Sequence, residues 1–208
     1  MLEKVIESNG WFFLTIFIFL SLSGVALVVW RFLLNMFAKS DLEQMLVQVE
    51  SSLDSGGPQA AYDYCISEDT MIAKIFTTML ETGKQGRVAA RNAIEKKIEL
   101  ELMPALNFLL PYILVLAKIA PMVGLLGTVV GMIKAFAKLD TGVTEASEVG
   151  GEIGMALFTT AEGLIIAIPT LFAYSYFRQQ AQKMEIELEK AGYAALDLFP
   201  KIFKQPTG

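Results

Sequence analysis

Two apolar stretches decide the fold of this chain: IAPMVGLLGTVVGMIKAFA (residues 119–137) and IGMALFTTAEGLIIAIPTLFAYSYF (residues 153–177). The hydrocarbon core of a bilayer is about 30 Å thick, and a helix needs roughly 20 apolar residues to cross it. Both stretches approach or exceed this length. A third stretch, residues 11–34, is about 24 residues long and carries Trp11 and Trp30 as interfacial anchors. The sequence therefore predicts three transmembrane helices.

Basic residues near the span ends predict the orientation. Cytoplasmic flanks of transmembrane helices carry an excess of Lys and Arg. Such residues follow the first span, precede the second and follow the third: Arg31, Lys39, Lys118, Arg178 and Lys183. The loop between the second and third spans, residues 138–148, is short, and its only basic residue is Lys138. We expect the N-terminus outside, residues 39–118 inside, this loop outside and the C-terminus inside.

The soluble part is predicted to be helical. Helix-forming residues fill 41–53, 58–66, 70–83 and 86–103, with breaks at Ser55-Gly56-Gly57-Pro58, Thr82-Gly83 and Gln85-Gly86. After the third span, apolar residues continue at spacings of three and four: Tyr174, Phe177, Ala181, Met184, Leu188, Ala191, Ala195 and Leu198. This seam suits a continued helix that packs either against its own bundle or against a neighbouring subunit.

The predicted fold is that of an all-α integral membrane protein with three transmembrane helices extended into a cytoplasmic helical bundle. Its organisation is an outside N-terminus with the first span (1–38), a cytoplasmic helical region (39–118), the second and third spans (119–177) and a cytoplasmic C-terminal helix (178–208). The apolar run begins earlier, at residue 102, and is too long for one span; Lys118 interrupts it, as do Pro104, Pro111 and Pro121. We expect the turns before residue 119 to project from the membrane as a helix with one face packed on protein.

Composition excludes several functional classes. The chain of 208 residues has no histidine, which removes the commonest catalytic base and metal ligand. It has one cysteine, Cys65, so no disulfide framework can form within it. The net charge is −5 with no basic stripe, which argues against nucleic-acid binding, and no phosphate-binding loop is present. We expect neither an enzyme nor a cofactor or metal site.

Small residues form one face on each of the last two spans. In the second span they recur at spacings of three and four: Pro121, Gly124, Thr128, Gly131 and Ala135. In the third they are Ala156, Thr160, Gly163 and Ala167, and Gly127 with Gly131 forms a Gly-xxx-Gly pair. Such faces allow close helix packing or, in a ring of subunits, leave room for a lumen. By helical rise both threonine hydroxyls lie roughly 12–14 Å below the outer surface; the alternative role for each is a bond to its own i−4 carbonyl.

Glu162 is an ionisable side chain inside the third span. Such residues are costly in a membrane and usually face a bundle interior or an aqueous cavity, where they mark ion paths. It shares a face with Met155, Thr159, Ile166 and Pro169, and Pro169 is expected to kink the helix. Three roles stay open at this point: proton handling, a protonated structural tie, or a salt bridge to a partner helix.

Two motifs resemble the signature of the MotA/TolQ/ExbB proton-channel family, with ExbB and TolQ nearest in layout. They are APMVGLLGTVVGM (120–132) and GMALFTTAEGLIIAIP (154–169). The resemblance implies a homopentamer in the bacterial inner membrane, surrounded by lipids. This pentamer would enclose the single helices of an ExbD/TolR-like partner that carries a membrane aspartate. It would drive a TonB/TolA-like protein, and the positions of Thr128 and Thr160 would line the lumen.

One departure separates this chain from that pattern. ExbB and TolQ proteins commonly have a glutamate at the position aligned with Met155 and an apolar residue where this chain has Glu162. The role of the family's acid passes to Glu162 only as a hypothesis. A MotA-like stator is the first alternative, although such subunits usually have four spans. A passive membrane scaffold is the second, and a self-contained transporter normally has more spans and internal repeats.

Overall fold

The computed structural model describes residues 2–37, 41–140 and 146–203, and the elements in these ranges are helices. In chain order they are α1 (Leu2–Phe37), α2 (Leu42–Glu68), α3 (Met71–Thr82), a 3₁₀ turn (Gly83–Gln85), α4 (Arg87–Lys97), a π-helical turn (Ile98–Leu102), α5 (Met103–Leu106), α6 (Leu110–Asp140) and α7 (Ala146–Ile202). No strand occurs in the described ranges, so the all-α prediction is confirmed there.

Three helical stretches are long and apolar enough to cross a membrane, which confirms the predicted number of spans. They are Phe13–Asn35 and segments within Arg87–Leu139 and Glu148–Ile202. The predicted spans at 119–137 and 153–177 lie inside the second and third of these. Lys39 and residues 141–145 of the predicted outer loop fall outside the described residues. The chain is a multi-pass membrane protein by these three helices.

Backbone contacts divide the chain into two compact units. The first comprises the described residues of 1–32 together with 109–177, and the second comprises those of 33–108 together with 178–208. The first unit therefore holds the spans, and the second holds α2 to α5 with the C-terminal part of α7. Each is described by itself below.

Local signals in the sequence explain where the helices of the second unit begin and end. The Asp41 carboxylate accepts a hydrogen bond from the backbone N of Glu43 at 2.9 Å, and the Thr70 hydroxyl accepts one from the N of Ala73 at 3.1 Å. Gly57 interrupts α2 with φ 72°, and Gly86 precedes α4 with φ 108°. These left-handed conformations favour glycine. The predicted breaks at both glycines are thus confirmed.

The core of the second unit is formed by α3 and the C-terminal part of α7. The side chains of Ile72, Ile75, Phe76 and Met79 on α3 are fully buried. On α7 the predicted apolar seam is also buried within this unit at Ala181, Leu188, Ala191, Ala195 and Leu198, whereas Met184 is half-buried. In the first unit Phe177 of the seam is buried and Tyr174 is half-buried. Of the two alternatives for this seam, packing against its own bundle is therefore the one observed.

One break was not predicted. The chain leaves α5 at Asn107 and enters α6 at Leu110, and between them Leu109 adopts φ 69°. The Asn107 amide donates to the carbonyl of Met103 at 3.0 Å, and its oxygen accepts from Arg178 Nη1 at 2.7 Å. A leucine in the left-handed region is rare, and nothing in its residue type indicates such a turn. The expected helix before residue 119 is consequently interrupted at residues 107–109.

Candidate functional site

The two small-residue faces meet each other in a close contact between α6 and α7. A Cβ added at Gly131 would lie 2.6 Å from the Cβ of Ala156, and one added at Gly163 would lie 2.6 Å from the carbonyl oxygen of Ala120. At Gly124 it would lie 2.9 Å from the carbonyl oxygen of Thr159. These distances are shorter than any real Cβ contact, so the backbones approach as closely as glycine allows.

Three further residues were predicted to serve helix packing: Gly127, Pro121 and Pro169. Only some of them lie in this contact. Gly127 lies in the contact as well, because its added Cβ would be 2.6 Å from the hydroxyl of Thr159. Pro121 is half-buried inside α6. Pro169 lies inside α7 with its side chain exposed. The glycines therefore belong to one helix–helix contact, and Pro169 does not join it.

Thr128 and Thr160 face each other across this contact. Their hydroxyl oxygens are 2.5 Å apart, and either can be the donor. The Thr128 hydroxyl also lies 3.0 Å from the carbonyl oxygen of Ala156 on α7 and 3.3 Å from that of Gly124 on its own helix. This contact brings the two hydroxyls to one level along α6 and α7, as helical rise predicted. The 3.3 Å contact with Gly124 is the bond to the i−4 carbonyl that the sequence left open as an alternative. Thr128 can therefore donate either to its own helix or to a partner on α7.

A third hydroxyl belongs to the same cluster. Thr159 is fully buried, and its Oγ1 lies 2.7 Å from the carbonyl oxygen of Ala156 and 3.3 Å from that of Gly124. Thr160 Oγ1 also lies 3.3 Å from the Gly124 oxygen. Sequence reasoning placed Thr159 on the Glu162 face. The only sequence signal for this role is that Thr159 is adjacent to Thr160, and spacing alone does not show that its hydroxyl turns towards α6.

The cluster has more acceptors than hydrogens. We call the hydroxyls of Thr128, Thr159 and Thr160 and the carbonyl oxygens of Gly124 and Ala156 the threonine cluster. Each hydroxyl offers one hydrogen and two lone pairs, so three hydrogens are shared among five oxygens. Thr128 alone has three acceptors within 3.3 Å. The hydrogens can thus be redistributed without movement of the helices, and lone pairs stay available for an outside donor.

Glu162 lies on a different face of α7 from the threonine cluster. It lines a groove of about 320 Å³ between α1 and α7, whose walls are Leu14, Phe17, Ile18, Ser21, Leu22, Ile165 and Ile166. The side chain is half-buried, and it makes no hydrogen bond or ion pair with the residues that the structure describes. The structure therefore does not bring Glu162 together with Thr128 and Thr160. Met155, where the resemblance places an acid, is half-buried.

An ion pair joins the C-terminal end of α6 to the N-terminal part of α7. Lys138 Nζ donates to Glu152 Oε1 at 2.7 Å, and the Glu152 side chain is only 15% exposed. The sequence analysis used Lys138 only as a flanking charge. The pair could have been found from the threonines, since Lys138 lies ten residues after Thr128 and Glu152 eight residues before Thr160. In two antiparallel helices these offsets lead to nearly the same level.

The described ranges offer no alternative chemical centre. Within them, no three His, Cys, Asp or Glu side chains are grouped as metal ligands would be. The single thiol, Cys65, is 1% exposed, and burial raises its pKa to about 12, so it is an inert core residue at neutral pH. In the second unit the Tyr62 hydroxyl donates to Glu81 at 2.9 Å, and this bond raises the pKa of Tyr62.

Comparison with known proteins identifies the group to which these features belong. A model of the MotA/TolQ/ExbB proton channel family matches residues 67–190, which is more than half of the chain. The chain is 31% identical over 165 residues to the putative biopolymer transport protein ExbB-like 3 of Synechocystis sp., which covers 76% of each protein. It is 28% identical over 169 residues to the putative biopolymer transport protein ExbB homolog of Methanothermobacter thermautotrophicus, which covers 78% of this chain and 60% of that relative.

A shorter match is confined to part of the chain. The biopolymer transport protein ExbB of Xanthomonas campestris pv. campestris is 38% identical over 81 residues, which is 38% of this chain and 32% of that protein. The chain thus spans less than two thirds of two of these three relatives. The matched region 67–190 contains the contact between α6 and α7, the threonine cluster and Glu162. By its sequence and by these three apolar helices, this chain belongs to the MotA/TolQ/ExbB proton channel family.

Proposed function

We propose that this protein is a proton-channel subunit that converts the proton motive force into mechanical work at the cell envelope. The observation that carries the proposal is the threonine cluster, which lies inside two spans of a chain from a proton-channel family. A proton that crosses 100 mV releases about 2.3 kcal/mol, so several protons would be used for each mechanical step. The process driven would be TonB-type transport or a Tol-like function.

The role of the threonine cluster follows from its surplus of acceptors. Thr128 and Thr160 are half-buried in the single chain, whereas Thr159 is fully buried. The first two residues are therefore partly open to a group outside the chain. A carboxylic acid or water that donates to one of them needs only a redistribution of hydrogens, because Thr128 has alternative acceptors. Thr159 would hold the two carbonyls in place behind them.

The group that reaches the hydroxyls is proposed to come from a second protein. We infer a smaller single-span partner of the ExbD/TolR type, whose membrane aspartate would pass the two threonines. Five copies of this chain would surround that partner in the bacterial inner membrane, with the N-terminus outside and the C-terminus in the cytoplasm. A TonB/TolA-like protein would receive the work. Native mass measurement of the complex tests the assembly, and a monomer or dimer as the sole stable species would contradict it.

Glu162 has a separate place in this proposal. It lines the α1 side of α7, so it cannot exchange hydrogens with the threonine cluster directly. We propose that it handles protons from that side. Glutamine keeps the shape and hydrogen bonding of the side chain but cannot exchange a proton, so Glu162→Gln should assemble normally and slow transduction. Wild-type transduction in this variant would remove Glu162 from the proton path and leave it as a structural tie.

A passive scaffold is the competing function, and one observation favours it. Each hydroxyl of the cluster already has an acceptor within the chain, as expected if the threonines only stabilise the packing of α6 against α7. The two functions differ in what loss of a hydroxyl does. Valine keeps the shape of threonine and removes its hydrogen-bonding group. A scaffold would change in stability, whereas a proton path would change in rate.

The deciding experiment measures proton flux into vesicles that contain the protein and its partner. Thr128→Val and Thr160→Val should assemble normally and lower the flux about tenfold or more, which is what one lost hydrogen bond in the rate-limiting step produces. Thr170→Val is the matched control. Its hydroxyl donates to its own i−4 carbonyl, that of Ile166, at 2.7 Å and lies outside the cluster. Full flux in both cluster variants would exclude the proposed path and favour the scaffold.

A further inference from the structure

We propose that the groove between α1 and α7 is a binding site for small lipid-soluble amines, with Glu162 as the group that binds the amine. This site is separate from the threonine cluster, which lies on the α6 side of α7. It shares Glu162 with the proposed proton path, but the inference rests on the groove itself and is tested without proton flux.

The groove is apolar and open along its rim. Six of its eight lining residues are Leu, Ile or Phe, and the other two are Ser21 and Glu162. On the rim the exposed fraction is 51% for Ile18, 66% for Leu22 and 69% for Ile165. All three lie in helices long and apolar enough to cross a membrane. A ligand that enters here would therefore come from the hydrocarbon phase.

The carboxyl group of Glu162 sets the chemistry of the ligand. It has no hydrogen-bond or ion-pair partner among the described residues. An ionised carboxylate without a partner is costly in hydrocarbon, and a neutral one leaves a strong donor unused. A lipid chain in the groove would neither neutralise the carboxylate nor accept a hydrogen bond from the neutral acid. A protonated amine would do so, because charge-assisted hydrogen bonds are about twice as strong as neutral ones and are weakly screened in an apolar medium.

The volume of the groove sets the size of the ligand. About 320 Å³ lies at the lower end of the range of small-molecule sites, which starts near 300 Å³. A ring or a short branched chain fits this space, whereas a phospholipid with two chains does not. Ser21 also lines the groove, and its hydroxyl is the second polar group that a bound amine would meet. The preferred class is thus a compact apolar body that carries one amine.

The test uses carbodiimide labelling of the full chain in lipid nanodiscs. Dicyclohexylcarbodiimide dissolves in the hydrocarbon phase and reacts with a protonated carboxyl. The proton moves to one carbodiimide nitrogen while the carboxylate oxygen bonds to the central carbon. The resulting O-acylisourea then rearranges by an oxygen-to-nitrogen acyl shift to a stable N-acylurea, and no further reactant is needed. Peptide mass mapping measures the rate at Glu162. Glu152 serves as the control, because its carboxylate is held by Lys138 at 2.7 Å and should be labelled far more slowly.

Competition in the wild-type chain then identifies the ligand class. The probe is N,N-dimethylcyclooctylamine, a tertiary amine that cannot form an amide with the activated carboxyl. At about ten times its apparent dissociation constant it should slow labelling of Glu162 about tenfold. Cyclooctanol has the same body without the charge and should protect far less at equal concentration. Ser21→Ala should raise the amine concentration needed for half-protection about fivefold, as expected for one lost hydrogen bond.

Three outcomes would overturn the proposal. They are absence of labelling at Glu162, equal protection by N,N-dimethylcyclooctylamine and cyclooctanol, and labelling of Glu152 at the same rate as Glu162. The first would indicate that another protein surface covers the groove. The second would indicate an apolar site with no preference for charge. None of these results depends on proton flux, so they leave the proposed channel function to its own test.

Discussion

Replacement of Gly163 by alanine tests whether the backbone contact between α6 and α7 holds the threonine cluster together. The added Cβ would lie 2.6 Å from the carbonyl oxygen of Ala120 and 3.3 Å from the Cα of Gly124. Both atoms belong to the backbone of α6, so no side-chain rotation can relieve the clash. The two helices must therefore move apart at this level.

The size of that movement can be worked out from the contact distances. Ordinary contact begins near 3.4 Å, so the backbones must separate by about 0.8 Å at Gly163. The same shift at Thr128 would lengthen its 3.0 Å contact with the Ala156 carbonyl beyond hydrogen-bonding distance. Overpacking costs about 1–3 kcal/mol, the lost bond about 0.6 kcal/mol, and the better helix propensity of alanine returns up to about 1 kcal/mol. The net loss in the free energy of unfolding is about 0.6–3.6 kcal/mol.

The assay is an unfolding titration of the purified protein in mixed micelles, followed by circular dichroism. Gly154→Ala is the matched control in the same helix, because an added Cβ there meets no atom within 4 Å. We expect this control to be neutral or up to about 1 kcal/mol more stable than the wild type. Equal free energies of unfolding for the Gly163→Ala and Gly154→Ala variants would refute the reasoning. The close contact between α6 and α7 would then contribute nothing to stability.

Two further predictions concern the second unit. Burial raises the pKa of Cys65 from 9.0 to about 12. As the pH rises, the thiol therefore ionises in the unfolded chain before it ionises in the folded chain. The stability that the neutral thiol contributes is full below pH 9 and is lost as the pH rises towards 12. Cys65→Ala should flatten the decline of stability over this window in denaturant titrations, and an unchanged decline would contradict the assignment. Asn107→Ala removes the acceptor of the 2.7 Å bond from Arg178 and should cost about 1.5–3 kcal/mol. Asn107→Asp keeps that acceptor and should cost less, and equal losses would exclude the bond as the cause.

The parts of the fold that were predictable depend on short-range signals. The length of an apolar run is visible without any partner, so the three spans followed directly from the sequence. Gly57 and Gly86 adopt positive φ angles, and breaks were expected at both because glycine alone adopts such angles at little cost. At Leu109 the same kind of angle occurs in a residue that gives no such signal. That break depends on the bonds of Asn107 to other elements, which the sequence does not show.

The candidate site was predictable only in part. Helical rise placed Thr128 and Thr160 at one level, but it could not show that their hydroxyls touch each other or that Thr159 completes the cluster. The environment of Glu162 was also hidden. Periodicity identifies the residues that share its face on α7, but α1 is apolar on all sides and has no marked face. The partner of a given face in a membrane bundle is set by packing between helices, for which a uniformly apolar helix carries no pattern.

The close contact between α6 and α7 has a mechanical consequence. Four glycines bring the two backbones so near that sliding or rotation of one helix alone would drive Cα and carbonyl atoms into each other. The Lys138–Glu152 pair opposes the same motion further along. The two helices must therefore move as one rigid body, with the geometry of the threonine cluster unchanged during the motion. Any force transmitted through this part of the protein would turn or tilt that body as a whole, and the compliant contacts would lie at its outer faces.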